Sequence, residues 1–150
     1  MTGVVILCVV AVLTTAAGLV HRSRDGRLRD SRRPSAPQRA LLSPDPDDLR
    51  PLLAQLGGTP GERATLLQFS SAFCAPCRAT RRVLADVSGL VDGVAHVEVD
   101  AEQHLDVVRR LGVLKTPTTL VLDAGGREVK RASGQPRKAD VLAALGHALP

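Results

Sequence analysis

Thr65–Ser70, which reads as a short buried strand, leads within a few residues into Cys74-Ala75-Pro76-Cys77, and a helical pattern follows at once. This order constrains the chain more than any other feature, because it fixes two thiols at a strand-to-helix junction. Pro76 suits the first turn of a helix, where an N–H is not needed. Val83, Leu84 and Val87 carry the apolar face onward, and Gly89 is the expected stop.

At such a junction the first sulfur is exposed at the helix N-terminus and the second is tucked one turn inside. Unpaired N–H groups and the positive end of the helix dipole stabilise a thiolate, lowering its pKa from about 8.5 toward neutral. Cys74 is then the nucleophile and Cys77, held near by the two-residue spacing, the resolving thiol. Three cysteines in all, with Cys8 far away in an apolar stretch, do not make a disulfide framework. A redox pair or half a metal site is the better reading. A metal module would need Cys74, Cys77 and perhaps His104, but the four histidines lack paired ligand spacing.

Helical and strand patterns alternate around the motif. Asp47 or Asp48 can cap a helix carrying Leu49, Leu52, Leu53 and Leu56, which Gly57-Gly58 ends. Val94–Val99 reads as a second strand, Gln103–Leu111 as a helix and Pro117–Leu122 as another strand. Gly125-Gly126 then signals a hairpin into Glu128–Ala132, and Arg137–Leu149 closes with an amphipathic helix. The order α-β-α-β-α-β-β-α implies an α/β fold with a central mixed sheet, part parallel with an antiparallel edge, and helices on both faces.

Phe73-Cys74-Ala75-Pro76-Cys77, the strand before it and Thr116-Pro117-Thr118 further on resemble a thioredoxin over roughly 48–149. The resemblance implies a thioredoxin-like fold and a protein-disulfide reductase or related thiol–disulfide oxidoreductase, with a role in cell redox homeostasis. It makes Pro117 a cis-proline packed against the disulfide and Thr116 its peptide-binding neighbour. Phe73 stands where the family usually has tryptophan and, with Ala75 and Pro76, belongs to the docking surface. No cofactor beyond the Cys74–Cys77 disulfide is implied and no metal. The partners are protein disulfides and a separate reductase, since no GxGxxG motif for a nicotinamide is present.

One position departs from the family. A buried aspartate commonly lies six residues before the nucleophile, and here that residue is Gln68, which cannot act as a base. His96 matches about where the family often has a lysine. Gln68 and His96 are therefore candidates for a replacement proton relay, the bland alternative for His96 being an ordinary strand histidine. Loss of the carboxylate should ease ionisation of Cys77. Arg78, Arg81 and Arg82 add positive potential, or simply form a solvated helix face.

From Thr2 to Val20 no side chain is charged, and at ~1.5 Å per residue this stretch reaches about 28 Å, close to the ~30 Å of a hydrocarbon core. One transmembrane helix over residues 2–20 is expected rather than a cleaved signal, because basic residues follow the apolar run instead of preceding it. Residues 21–46 read as a flexible basic linker, and 47–150 as the redox domain. Residues 21–43 hold seven Arg and two Asp, which accounts for the whole net charge of +5, so a nucleic-acid partner is not indicated and an anionic-lipid contact is. Basic residues flanking a span tend to stay in the cytoplasm, which places the domain there. An exported protein for disulfide formation or cytochrome c maturation is the alternative.

Overall fold

The computed structural model describes residues 2–24, 26–30 and 47–149. In chain order the elements are α1 (Thr2–Arg24), β1 (Arg29–Asp30), α2 (Arg50–Gln55), β2 (Ala64–Ser70), α3 (Ala75–Leu90), β3 (Val94–Asp100), α4 (Leu105–Arg110), β4 (Thr118–Asp123), β5 (Glu128–Ser133) and α5 (Lys138–Ala148). The strands form one five-stranded sheet in the order β1-β5-β4-β2-β3. Only β2 and β3 are parallel, with Gln68 beside Glu98; β4 runs antiparallel to both β2 and β5.

Alternation along the strands divides the core in two, since successive side chains point to opposite faces. On one face Leu67, Phe69, Val97, Val99, Leu120 and Leu122 pack with Leu52 and Leu53 of α2 and with Val107 of α4. On the other, Ala64, Leu66 and Val121 pack with Leu84 and Val87 of α3 and with Val141 and Leu145 of α5. Each fully buried Leu or Val contributes about 1.5–3 kcal/mol of apolar transfer, so a core almost without aromatics still holds the sheet between two helical layers. The expected mixed sheet with helices on both faces is observed.

Several element ends differ from expectation for local reasons. Asp48 accepts from Arg50 N at 2.8 Å, as a capping aspartate should, although Leu49 is the residue at the N-cap. Helix α4 starts at Leu105 rather than Gln103 because Asp100 accepts from Glu102 N at 2.9 Å and from Gln103 Nε2 at 3.0 Å, forming a side-chain-held turn there. Helix α3 runs past Gly89 to Leu90.

The larger corrections concern the N-terminal segment. Residues expected in a flexible linker are structured: α1 continues through Arg24, and β1 pairs with β5, Arg29 opposite Arg131. Main-chain pairing and packing of Leu28 onto the α3–α5 core supply order that composition alone does not reveal. The remainder of that linker, residues 31–46, lies outside the described residues. Among the described residues no helix is long and apolar enough to cross a membrane, so the span expected over residues 2–20 is not supported at that level. Polar side chains interrupt α1, where Thr14 and Thr15 turn their hydroxyls back onto the carbonyls of Val10 and Ala11.

Candidate active site

The site lies where β2 ends and α3 begins. Cys74 is the N-cap of α3 in an extended conformation, Pro76 falls in the first turn, and Cys74 and Cys77 form a disulfide. Cys77 N donates to Cys74 Sγ at 3.1 Å, so the free amide end of the helix is spent on this sulfur. Cys77 is 2% exposed, while Cys74 is half-buried and Ala75 and Pro76 are exposed.

Phe73 is held at φ 58°, in the left-handed region, and its side chain is 101% exposed. A non-glycine residue there costs about 1–2 kcal/mol, which the surrounding turn has to offset. The turn throws an aromatic ring clear of the surface beside the disulfide.

The second loop of the site carries Thr116 and Pro117. Their peptide bond is cis, as the resemblance implied. Ser71 Oγ and Thr116 Oγ1 lie 2.9 Å apart in a hydrogen bond that ties this loop to the cysteine loop. Thr118 Oγ1 donates to Lys115 O at 2.7 Å and Gly134 N donates to Pro117 O at 2.7 Å, fixing the loop from both sides. Leu114, at its start, is 96% exposed.

Beneath Cys77 lies a buried polar network. Gln68 is fully buried; its Nε2 donates to Ser70 Oγ at 2.8 Å and to Cys77 O at 3.0 Å. Both amide protons are committed, so Gln68 Oε1 can only accept, and the 3.1 Å contact with His96 Nε2 makes His96 the donor through that nitrogen. Ser70 Oγ donates to Glu98 Oε1 at 2.6 Å, and Arg81 of α3 pairs with the same carboxylate at 2.5–2.8 Å.

Burial lowers the pKa of His96; the nearby Glu98 opposes this and the Arg81 charge adds to it. Burial acts against the charged form of Glu98 too, but hydrogen bonds from Arg81 and Ser70 hold its carboxyl below the usual range. At neutral pH the network is therefore a neutral imidazole and amide joined, through a hydroxyl, to an ion pair. Gln68 and His96 come together as the resemblance implied, and Gln68 also meets the main chain of Cys77.

Sequence reasoning missed Ser70 and Glu98 and gave Arg81 little weight. A signal was available: Gln68 and Ser70 on β2, and His96 and Glu98 on β3, are each two apart and so share one face of the sheet. Among the described residues no group of three or more His, Cys, Asp or Glu side chains is assembled that could hold a metal ion.

The thioredoxin family model matches residues 59–147. A thioredoxin of Alicyclobacillus acidocaldarius is 30% identical over 90 residues, covering 59% of this chain and 85% of that protein. Thioredoxin H2-1 of Oryza sativa is 33% identical over 72 residues, 48% of this chain and 51% of that one. Among solved structures, thioredoxin NaTrxh of Nicotiana alata superposes with a TM-score of 0.55 at 23% identity, over 67% of this chain and 84% of that chain. The Fasciola hepatica thioredoxin gives 0.54 at 21%, over 67% and 90%. With a family match over more than half its length and a cysteine pair bonded at the matching strand-to-helix junction, this chain belongs to the thioredoxin family and is a thiol–disulfide oxidoreductase.

Proposed function

We propose that the chain reduces protein disulfides, with Cys74 as nucleophile and Cys77 as resolving thiol. The observation that carries this reading is the 3.1 Å hydrogen bond from Cys77 N to Cys74 Sγ, an amide equally suited to a thiolate at that position. Cys74 thiolate attacks one sulfur of a substrate disulfide, forming a mixed disulfide as the other sulfur leaves and takes a proton. Cys77 then attacks Cys74 Sγ, the second substrate sulfur leaves, and two electrons and two protons have passed to the substrate. A separate reductase restores the dithiol.

Exposed Phe73, Ala75 and Pro76 form the docking surface in this reading, and the main chain at Thr116, beside Pro117, receives the substrate strand. Gln68 and His96 keep Cys77 in place and stand in for the family's charged pair. Insulin reduction with dithiothreitol tests the assignment: wild-type protein accelerates precipitation of the B chain and Cys74→Ser does not. Equal rates would remove the enzymatic reading.

We further propose that α1 attaches the domain to a membrane. Val5, Ile6, Leu7, Val9, Val10, Val12 and Leu13 are all exposed, and their spacing puts apolar side chains on every side of α1 ahead of Thr14. A helix of that kind is stable only when covered by protein or lipid. Arg22 and Arg24, at its far end, suit an anionic cytoplasmic leaflet and favour a cytoplasm-facing domain. Flotation of the full chain with vesicles, with Cys8 shielded from an impermeant maleimide, supports attachment; a protein that stays in the soluble fraction with Cys8 labelled refutes it.

A further inference from the structure

All five strands have an end at the pole of the sheet that carries the disulfide, β3 at Asp100 opposite Ser70 of β2. β2 runs there into the cysteine loop, and β4 starts there at Thr118, directly after cis-Pro117 and opposite Phe69. β5 ends there at Ser133, opposite Thr118, and β1, antiparallel to β5, begins there. The N-terminal segment therefore enters the domain at the pole that carries the disulfide.

That entry is pinned. Gly26 N donates to Ser133 O at 2.7 Å, and the next residue, Gly134, donates from its N to Pro117 O at 2.7 Å. Gly26 has φ +78°, and a Cβ there would stand 1.9 Å from Gln135 O and 2.5 Å from Gln135 C, so only glycine fits. Leu28 then packs onto the α3–α5 core and Lys130 Nζ donates to Asp30. Helix α1 ends at Arg24, two positions before Gly26, and two residues span at most about 7 Å between Cα atoms.

We propose that this short leash holds the cysteine pair at the membrane surface, and that its substrates are disulfides of membrane proteins lying close to the bilayer. The proposal rests on the membrane attachment argued above. A tether joined to the far pole would turn the disulfide away from the bilayer, and a long coil would let it range tens of ångströms into the water; this one does neither. Phe73 and Leu114, exposed beside the disulfide by 101% and 96%, suit a partner segment beside lipid better than a fully hydrated one. The exchange chemistry is that given above, with the membrane protein's disulfide as oxidant and the Cys74–Cys77 dithiol as reductant.

The test uses the full chain in vesicles together with transmembrane peptides carrying one disulfide loop, either about 5 or about 40 residues from the bilayer, and soluble insulin as control. Flotation is measured first. A chain that does not float overturns both the attachment and this inference, whereas a chain that floats puts only the inference at stake. The wild type should reduce the near loop at least about tenfold faster than the distant one, from effective concentration alone. Inserting about 20 Gly/Ser residues between Arg24 and Gly26, an added r.m.s. span of about 25 Å, should erase that preference while insulin reduction is unchanged. Equal rates on both loops in the wild type, or a preference that survives the insertion, would overturn the proposal.

Discussion

Gln68 Nε2 donates to the main-chain carbonyl oxygen of Cys77 at 3.0 Å, so the buried amide beneath the disulfide grips the first turn of α3. With its second proton on Ser70 and its oxygen taking a proton from His96, the side chain uses all its capacity except one lone pair. Such a group holds the first turn of the helix, and as an amide it cannot itself serve as a base.

Removing that grip should be expensive. Gln68→Ala leaves Ser70 Oγ, Cys77 O and His96 Nε2 short of a partner in a buried site, at about 1–3 kcal/mol for each group that water cannot reach. Urea unfolding of the oxidised protein should show the loss, and an unchanged midpoint would mean the network contributes nothing.

The network also predicts a pH dependence. The folded-state pKa of His96 is depressed by burial, so its neutral form is favoured in the fold. Its contribution is complete above the ordinary value near 6.5, and stability falls as pH drops from there through the lowered folded value. Glu98 is also depressed, and its contribution is lost further down, as pH falls below about 4.5 through its own folded value. The variant His96→Asn should flatten the first decline and leave the second; unfolding midpoints at pH 7.5, 6, 5 and 3.5 measure both.

Phe73 pits stability against function. Phe73→Gly removes a side chain that buries nothing and relieves a positive φ of 58°, so thermal unfolding should report a gain of about 1 kcal/mol. The same variant should reduce protein disulfides several-fold more slowly while leaving exchange with dithiothreitol unchanged. A stability loss would show that the ring packs on something in solution.

The sequence made the disulfide site readable because its signals are local. A strand, CxPC with Pro76 in the first helical turn, and Thr116-Pro117 each appear in adjacent residues, and the resemblance joined them. Antiparallel placement of β4 against β2 was not visible, since alternating strands and helices look alike whichever way a later strand runs. β1 was hidden for another reason: Arg29 and Asp30 carry no apolar alternation, and their order comes from edge pairing with Arg131 and Lys130. The strain at Phe73 has no sequence signal, as aromatic residues rarely adopt that conformation.

Exchange by this site requires Cys74 and Cys77 to interconvert between dithiol and disulfide. Equilibration of the chain in buffers of graded reduced and oxidised dithiothreitol, followed by alkylation and mass analysis, reads this directly. The prediction is one two-electron transition in which both thiols of the pair are alkylated together, with Cys8 unaffected. A pair that remains locked in one state across the whole range, or two cysteines that respond independently, would contradict it.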